Sequence, residues 1–440
     1  MIKKKFTSAD LFSNEYCQSL LYDLISNKTL SNSNYSIKGS GSSIVGAFFS
    51  KGATVVEVQS KNEVIALDVD NKEIIVRSSI TLSKLYEFLI PKHLFLASVP
   101  SYPGASIGGC IAANVHGQNH IKEGCFLNNI KSLVIYHPDK GLIECSIDKN
   151  KDLFNLTIGG YGITGVIHEA KLHLISVKTN LLNVKTVAFS NLFEAFQLME
   201  GESLNYDYLH SWCDMSSANC NKQSGLLSLG SYKQGSEIEQ CKIYHQIKKI
   251  HLPVLINIFG TKLMIVVNKL YYFINIIRRH KIMPLHDFIF PSKSNLFYFS
   301  MFGKKGVIEH QVLIPKEVAK RYLKDMMVII EENNPRISLC HLKVFRGHGS
   351  LLRFDGSGYC LALHFFNNFN GVNTLQEIDK IDLYYGCKVN LVKDSRLSTE
   401  SINRQYNSGA DLFRMKALNY DPLIKFRNNI INKVFNKNGK

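Results

Sequence analysis

The sequence predicts an α+β protein, and three observations support this prediction. A chain of 440 residues with 45% apolar and 20% charged residues is long enough for two or three domains, each with its own core. Strand-like and helix-like segments follow one another in irregular order rather than as repeated βαβ units. No internal repeat or low-complexity segment interrupts them. This composition excludes a collagen, a coiled coil and a wholly disordered chain.

The first part of the chain, from about residue 36 to residue 177, combines short strands with many glycines. Alternating or β-branched patterns predict strands in the segments TVVEVQS, EIIVRSSI and VIHEAKLHLISV. The segment LSKLYEFLIPK has a helical pattern that ends at Pro91, since proline cannot continue a helix.

The pattern changes after about Lys178. NLFEAFQLME is helical, a polar loop follows near residues 216–224, and a basic apolar stretch comes next. Residues 309–334 predict a strand that leads into an amphipathic helix, and ISLCHLKVF and GYCLALHFF predict two further strands. The basic C-terminal region starts near Lys388, with a helix around PLIKFRNNIINKVF and a frayed tail, NKNGK.

The positive charge is concentrated in one apolar stretch. The net charge is +16, and between Cys241 and His286 eight Lys or Arg residues occur without any acidic residue. Lys262 and Lys269 interrupt the apolar run, so a transmembrane helix is not predicted. A buried helical pair with basic flanks and a helix on a membrane surface both remain open. Nucleic-acid binding is not expected, because no binding motif accompanies the charge.

The cysteines and the N-terminus predict an intracellular protein without a metal site. Ten cysteines lie between Cys17 and Cys387, with no CxxC pair and no Cys/His cluster at ligand spacing. The segment MIKKKFTSADLFSNEYC has a basic start but lacks the apolar run of a secretion signal. We therefore expect reduced thiols and a cytoplasmic location.

Two glycine-rich regions carry the functional information. GGYGITG satisfies GxGxxG, but an alternating strand follows it instead of a helix, so a Rossmann nucleotide site is excluded. The segments KGSGSSIVG and PGASIGGCIAANVHGQNH offer converging backbone N–H groups, with hydroxyl donors from Ser42, Ser43 and Ser106. Either loop alone is explained by a tight turn, but together they fit a diphosphate.

In this order the motifs resemble one family. KGSGSS, ASIGGCIAANVHGQNH, DLFNLTIGGYGITGVIHEAKL and VKDSRLS are similar to the vanillyl-alcohol-oxidase-type flavoproteins, which have a PCMH-type FAD-binding domain. Within this family the similarity is greatest to the decaprenylphosphoryl-ribose 2-oxidases, and next to the aldonolactone oxidases. It spans nearly the whole chain and is weakest in the middle.

The resemblance implies a two-lobed FAD-binding domain over residues 1–178, with residues 388–440 folding back onto it. Residues 179–387 would form an α+β substrate domain with an antiparallel sheet. The cofactor is then FAD, bound without a covalent bond because Ser42 stands where some members carry the linking histidine. The cofactor-binding residues implied are Lys38, Gly39, Ser40, Gly41, Ser42, Ser43, Ser101, Ser106, Ile107, Gly108, Gly109, Ala112, His116, Gly162, Gly165 and Val166.

Two residues are predicted to be catalytic. Oxidising a hydroxyl requires a hydride acceptor, which the flavin supplies, and a protein group that takes or shares the hydroxyl proton. The resemblance places His116 at the flavin face and makes Lys393 a substrate-binding residue. We expect an apolar pocket to lower the pKa of Lys393. A structural histidine and a surface ion pair are the alternatives. Further substrate-binding candidates are Trp212, Gln311, Lys343 and Phe345.

The implied function is FAD-dependent oxidation of a sugar hydroxyl to a ketone. The substrate would be a polyprenyl-phosphate-linked or related glycose, as the oxidising half of an epimerisation in cell-envelope polysaccharide synthesis. A partner reductase and an anionic membrane surface at the inner face of the plasma membrane are expected partners. The alternatives are an aldonolactone or alditol oxidase that uses oxygen, and a binding protein without redox activity. Ile44 and Cys360 replace a tyrosine and a polar amide of the family, so the identity of the sugar stays open.

Overall fold

The N-terminal part of the chain folds into a four-stranded sheet in the computed structural model, which describes residues 2–25, 30, 34–216, 224–235, 238, 257, 263–291 and 295–436. Its strands pair in the order β1, β2, β4, β3, antiparallel in the first pair and parallel in the others. The strands are β1 (Ile2–Thr7), β2 (Asn14–Asp23), β3 (Tyr35–Lys38) and β4 (Thr54–Gln59). The first glycine loop therefore starts where β3 ends.

A five-stranded antiparallel sheet forms the second layer. Its strands pair in the order β5, β6, β10, β8, β9. Two further strands, β7 and β11, pair only with each other. Four helices lie between these strands. The strands are β5 (Val64–Asp68), β6 (Glu73–Arg77), β7 (Leu94–Phe95), β8 (Ile130–His137), β9 (Gly141–Ser146), β10 (Val166–His173) and β11 (Ile175–Ser176). The helices are α1 (Leu82–Leu89), α2 (Ile107–Ala112), α3 (His120–Glu123) and α4 (Lys151–Thr157).

An eight-stranded antiparallel sheet forms the rest of the described chain. Its order is β15, β12, β14, β13, β17, β18, β16, β19. The strands are β12 (Leu181–Phe189), β13 (Tyr208–Asp214), β14 (Ser224–Tyr232), β15 (His280–Pro284), β16 (Val307–Ile314), β17 (Ile337–Phe345), β18 (Gly358–Phe366) and β19 (Lys388–Val389). Every residue of β16 and β18 is buried, so both faces of the sheet centre are covered.

Helices cover one face of this sheet and join it to the C-terminal segment. Leucine, isoleucine and phenylalanine side chains of the central strands pack with α5, α9 and α10 in one core cluster, which also includes the C-terminal helices. The helices are α5 (Leu192–Glu202), α6 (Leu263–Ile277), α7 (Leu285–Ile289), α8 (Asn295–Ser300), α9 (Ala319–Asn333), α10 (Phe369–Tyr384), α11 (Thr399–Tyr420) and α12 (Asn429–Phe435).

The C-terminal segment also bonds to the N-terminal sheets. The Tyr35 N–H donates to Lys425 O at 2.7 Å, and the Arg427 N–H donates to Tyr35 O at 2.7 Å. The Asn428 side chain donates to Tyr161 O at 2.7 Å. The division into domains at residues 178 and 387 stays a prediction, but these contacts join residues beyond 388 to the first part of the chain.

The predicted α+β class is confirmed, and most predicted elements occur where the sequence places them. The sequence did not predict β1, β2 or the 22-residue α11, in which Asn407 has a left-handed φ of 40°. Residues 217–223 of the predicted polar loop, residues 241–256 and 258–262 of the basic apolar stretch, and the tail from 437 lie outside the described residues. Among the helices that are described, none has the length and apolar character to span a membrane.

Candidate flavin site and substrate pocket

The two predicted phosphate loops meet through a reciprocal pair of hydrogen bonds. The Ser40 N–H donates to Ser106 Oγ at 3.2 Å, and the Ser106 N–H donates to Ser40 Oγ at 3.1 Å. Ser106 also caps α2 by accepting from the Gly109 N–H. A Cβ atom on Gly39 would lie 2.3 Å from Ser106 Oγ, so this close approach of the loops requires glycine.

The first loop has unused donors that fit a diphosphate. Among the described residues, no hydrogen bond engages the backbone N–H groups of Gly41, Ser42 and Ser43. The Ser43 hydroxyl is buried and has no hydrogen-bond partner within the described part of the chain. Gly41 has a φ of +69°, the left-handed conformation that turns successive N–H groups toward one point. These residues therefore fit the pyrophosphate of FAD.

Lys38 is engaged elsewhere. Its Nζ lies 2.9 Å from Glu57 Oε2, and Lys4 contacts the other carboxylate oxygen at 2.6 Å. Burial raises the pKa of Glu57, but the bonds from Lys4, Ser19 and Lys38 outweigh it and lower the pKa to about 2. The backbone of Lys38 lies at the start of the loop, whereas its ammonium group bonds to the sheet.

The second and third glycine segments lie against each other and against the first loop. The Gly108 N–H donates to Ser78 O at 2.7 Å, and the Gly159 N–H donates to Ile111 O at 3.0 Å. A Cβ atom on Gly162 would lie 3.7 Å from Ile37 Cβ, beside the end of β3. Gly165 has a φ of +118° and is followed by buried Val166 at the start of β10. The structure thus brings the predicted cofactor residues of all three segments together.

Ser101 and His116 extend this region on the far side of α2. The Gln118 side chain donates to Ser101 Oγ at 2.9 Å. His116 is buried, and it pairs with Cys125 in an isolated antiparallel bridge. A Cβ atom on Gly117 would lie 2.5 Å from Val99 O, so the backbone after His116 passes close to the loop before Ser101.

His116 contacts the substrate sheet through Gln311. The Asn390 side chain donates to Gln311 Oε1 at 2.7 Å, which turns the Gln311 amide nitrogen toward His116 Nε2 at 3.2 Å. The imidazole therefore accepts at Nε2 and carries its proton on Nδ1. Burial, with the charges of Lys343, His120 and Lys393, holds the pKa of His116 well below its ordinary value. His116 is therefore held as a neutral imidazole that accepts a hydrogen bond from Gln311.

Aromatic rings fix the orientation of His116. Phe345 lies edge-on to it, with ring centroids 4.9 Å apart, and stacks flat on His120 at 3.6 Å. His120 Nδ1 accepts from the Arg346 N–H, and its Nε2 lies 3.2 Å from Asp355. His120 and Asp355 are therefore partners of the site that the sequence did not indicate.

One face of the eight-stranded sheet is lined with polar and titratable side chains, and we call it the polar face. In register, Glu309 lies opposite His364, Gln311 opposite Ala362, and Lys343 opposite Cys360. Side chains alternate along a strand, so every second residue of β16, β17, β18 and β13 belongs to this face. Its members are His210, Trp212, Glu309, Gln311, His341, Lys343, Phe345, Cys360 and His364.

Lys393 reaches the polar face through an ion pair. Its Nζ lies 3.1 Å from Glu309 Oε1, and His364 Nε2 lies 3.3 Å from the other oxygen of Glu309. Burial raises the pKa of Glu309, but Lys393 and His364 outweigh it and lower the pKa to about 2. The expected apolar pocket around Lys393 is wrong, since a carboxylate faces it and 30% of its side chain is exposed.

The lysine with an enclosed, unpaired ammonium group is Lys343. Only 8% of it is exposed, and among the described residues no hydrogen bond or ion pair engages its Nζ. Burial lowers the pKa of Lys343 to about 8. Its cross-strand neighbour Cys360 is also buried, and burial raises the pKa of that thiol to about 12. Trp212 shares this face, but its ring lies against Tyr271 of α6, 4.8 Å away, rather than against His116 or Lys393.

The opposite face of β16 holds a buried charge cluster. His310 lies 3.1 Å from Asp382 and 3.2 Å from Asp394, and Arg396 binds Asp394 and Asp379. Within the described part of the chain, two groups of donors could hold a metal ion: buried His120, Cys125 and Asp355, and His310 and Asp382 with the half-buried Asp379. In the second group Arg396 already occupies Asp379 with two bonds. The expectation of no metal stays a prediction.

The sequence contains a signal for the residues that were missed. Three consecutive polar residues, Glu309 to Gln311, lie in the middle of the otherwise apolar strand β16, and His364 lies in the apolar strand β18. Polar residues in a fully buried strand indicate polar partners, and consecutive ones indicate such partners on both faces.

Residues 29–146 match the FAD binding domain family. The chain is 23% identical over 366 residues to decaprenylphosphoryl-beta-D-ribose oxidase of Mycolicibacterium smegmatis, covering 81% of this chain and 79% of that protein. It is 33% identical over 129 residues to a mitochondrial D-lactate dehydrogenase (cytochrome) of Arabidopsis thaliana, 28% of this chain and 23% of that one. It is 26% identical over 121 residues to L-gulonolactone oxidase of Mus musculus, 28% of this chain and 27% of that enzyme.

The family match covers the first two glycine loops, and the similarity to the decaprenylphosphoryl-beta-D-ribose oxidase extends over 81% of the chain. The loop donors described above fit the pyrophosphate of FAD independently of the comparisons. The chain therefore carries a PCMH-type FAD-binding domain and is an FAD-dependent oxidoreductase of the class that acts on CH–OH groups.

Proposed function

We propose that this chain oxidises a hydroxyl group of a sugar to a ketone, with His116 and Lys393 as the residues that handle the hydroxyl. The observation that carries the proposal is the arrangement around the polar face: a neutral imidazole held by Gln311, and an ammonium group held by Glu309. Gln311 and Glu309 are two residues apart on β16, so both side chains belong to the same face.

The division of chemistry follows from these groups. FAD, when bound, accepts the hydride from the C–H bond of the substrate. The Gln311 amide occupies the Nε2 lone pair of His116, so the substrate hydroxyl would replace this donor at Nε2 before the neutral imidazole takes its proton. Lys393 donates hydrogen bonds to a sugar oxygen, and the carboxylate of Glu309 positions its ammonium group.

We further propose a lipid-linked substrate, a glycose carried on a polyprenyl phosphate. Similarity to a decaprenylphosphoryl-ribose oxidase over 81% of the chain supports this substrate class. Oxidation would then be the first half of an epimerisation, and a partner reductase would return the ketone as the opposite epimer. A cytoplasmic location with peripheral association at the inner face of the plasma membrane follows from such a substrate and remains part of the proposal.

A second candidate is an aldonolactone or alditol oxidase that uses oxygen. The similarity to L-gulonolactone oxidase, which extends over about a quarter of the chain, favours this second candidate. The buried thiol of Cys360, opposite Lys343 in the pocket, also differs from the polar amide expected for a ribose oxidase. A cysteine there offers the sugar a weaker hydrogen-bond partner.

Anaerobic flavin bleaching distinguishes the candidates. Purified FAD-loaded protein is mixed without oxygen with a polyprenylphosphoryl pentose, an aldonolactone and an alditol, and absorbance of the oxidised flavin is followed. We expect bleaching by the lipid-linked sugar. Bleaching only by the lactone or alditol would support the second candidate, and no bleaching by any of the three would contradict a sugar hydroxyl as the substrate.

The variants His116→Ala and Lys393→Ala test the proposed roles. Each should keep the fold and most of the FAD, yet slow flavin reduction by roughly 10² to 10⁴, the usual range for a lost acid–base group. His348→Ala and Lys380→Ala remove the same residue types from exposed positions and are matched controls. Stopped-flow reduction at the wild-type rate in either site variant would remove that residue from the mechanism.

A further inference from the structure

Helix α6 exposes an unusually apolar surface. Its 15 residues read LMIVVNKLYYFINII, and only Met264 and Asn268 are buried. Val266 is 61% exposed, Phe273 59% and Ile277 81%. Monomeric proteins rarely leave large apolar side chains together in water, so a patch of this kind marks a contact with another apolar surface. The exposed apolar residues of α6 are Leu263, Val266, Val267, Leu270, Tyr271, Phe273, Ile274 and Ile277.

These side chains form one continuous strip along the helix. At 3.6 residues per turn, the eight exposed residues fall within an arc of about 160°. The buried residues Met264 and Asn268 lie outside this arc, next to the edge formed by Tyr271. A strip that is apolar along the whole helix, with no polar residue inside the arc except near its end, is typical of a helix that lies in a membrane interface.

Basic residues border the strip. Lys269 lies next to one edge of the arc, and Arg278, Arg279 and Lys281 follow at the C-terminal end. The described residues 263–286 contain no acidic side chain. This charge complements the phosphate groups of anionic lipids, which attract lysine and arginine near the bilayer surface. A second copy of this chain would bring the same positive charges together.

One edge of α6, which carries Met264, Asn268 and Tyr271, is attached to the sheet beside the polar face. The Asn268 side chain donates to Asp214 Oδ1 at 2.8 Å, and Tyr271 packs on Trp212 at 4.8 Å. Trp212 belongs to the polar face, so α6 lies over the end of that face nearest β13. The attachment holds the helix on the protein while its outer side stays exposed.

We propose that α6 inserts its apolar strip into the interface of a bilayer that contains anionic lipid, parallel to the membrane surface. Apolar insertion supplies the binding, and the basic border selects the anionic surface. This attachment brings the polar face close to the bilayer, where a lipid-linked sugar is found. That last consequence rests on the proposed function, whereas the membrane contact itself does not.

Vesicle flotation tests the insertion. FAD-loaded protein is floated with vesicles of phosphatidylcholine alone and of phosphatidylcholine with phosphatidylglycerol, at low and high salt. We expect binding to the anionic vesicles that high salt weakens but does not abolish, because apolar contacts are not screened. Complete release by salt would indicate a purely electrostatic contact and overturn insertion, as would absence of binding at low salt.

The double variant Leu270→Ser with Phe273→Ser identifies the surface. It should lower the fraction bound by about tenfold, because two of the inserted side chains become polar. Leu142→Ser changes a leucine that is 59% exposed on β9 and is the matched control. If light scattering shows a wild-type dimer that this double variant dissociates, the strip is a protein interface and the proposal is wrong.

Flavin bleaching by a short-chain, water-soluble substrate separates the two proposals. The double variant should be reduced at the wild-type rate, since neither residue is part of the substrate pocket. Failure of flotation with normal bleaching would overturn the membrane contact alone. Normal flotation without bleaching would contradict the proposed function alone.

Discussion

At the scale of single residues, the polar face contains two lysines in different environments. Lys393 is paired with Glu309, whereas Lys343 is buried without a carboxylate partner among the described residues. Burying an ammonium group without a partner costs free energy, because the lost hydration is not replaced. Proteins retain such groups mainly at functional sites, which is consistent with Lys343 as a substrate-binding residue.

The variant Lys343→Met should be more stable than the wild type, by about 1 to 3 kcal/mol at pH 7, because it removes this buried charge. The pKa of Lys343 is about 8 in the folded protein and 10.5 ordinarily, so between these values the unfolded chain binds more protons. Wild-type stability should therefore rise with pH through this window, and the rise should be smaller in the variant.

Urea unfolding of the FAD-loaded proteins between pH 7 and about pH 10 measures this effect. Lys380→Met, at an exposed position, is the control and should leave the pH dependence unchanged. An equal pH dependence in the wild type and in Lys343→Met would show that Lys343 does not titrate in this range.

At the scale of elements, the cofactor site depends on the contact between two loops. The loop after β3 and the N-terminus of α2 bond to each other through Ser40 and Ser106, at a distance that leaves no room for a side chain on Gly39. Serine hydroxyls and backbone N–H groups form this contact, so hydrogen bonds set the separation of the two loops. Small changes in this contact should affect FAD binding before they affect folding.

The variant Gly39→Ala tests this contact. Its Cβ would displace Ser106 Oγ from the Ser40 N–H or separate the loops, since the two atoms would be 2.3 Å apart. We expect FAD to bind at least about tenfold more weakly, which corresponds to the loss of about one hydrogen bond. Titration of the apoprotein with FAD, followed by flavin fluorescence, measures the affinity.

Gly201→Ala is the matched control, because Gly201 lies in α5 and nothing occupies the space within 4 Å of an added Cβ. It should bind FAD normally. Wild-type affinity in Gly39→Ala would mean that the loops adjust without loss. FAD that cannot be released by acid, in any of these proteins, would contradict the non-covalent attachment predicted from Ser42.

At the scale of the whole molecule, one buried cluster connects distant segments. His310 of β16 lies between Asp382 of α10 and Asp394, which directly follows Lys393. Tyr322 of α9 donates to Asp382 at 2.7 Å, and Arg396 joins Asp394 to Asp379. The cluster therefore attaches the segment that carries Lys393 to the helical side of the substrate sheet.

The variant His310→Gln should destabilise the protein by about 3 to 5 kcal/mol at neutral pH, because buried Asp382 loses the cation that faces it and Asp394 keeps only Arg396. Burial lowers the pKa of His310, but Asp382 and Asp394 outweigh it and raise the pKa to about 10, from an ordinary 6.5. Its contribution to stability is then complete below pH 6.5 and is lost as pH rises toward 10.

The difference in unfolding free energy between the wild type and His310→Gln should accordingly shrink from pH 6.5 to pH 10. Lys343 is present in both proteins, so the rise in stability with pH that it causes cancels in this difference. His348→Gln changes an exposed histidine and serves as the control. A difference that is constant with pH would show that His310 is neutral in the folded protein and would contradict the charged cluster.

The sequence alone determined the α+β class, most of the elements and the glycine segments that form the FAD loops. These features are local. Pro91 ends a helix, and alternating apolar residues predict a strand wherever it later packs. The strands β1 and β2 were missed because their apolar residues do not alternate with burial: Ile2 and Leu21 are exposed, whereas Ser19 is buried. The long helix α11 was missed because its polar composition gives little apolar periodicity.

The tertiary structure alone decided which side chains meet. Glu309 and Lys393 are 84 residues apart, and His116 and Gln311 are 195 apart, so no local pattern indicates that either pair is in contact. The sequence predicted an apolar pocket for Lys393 because apolar residues precede it, but the register of β16 places Glu309 against it and leaves Lys343 as the enclosed lysine. A pKa depends on the groups that face a side chain in space, and strand register, which long-range packing sets, determines those groups.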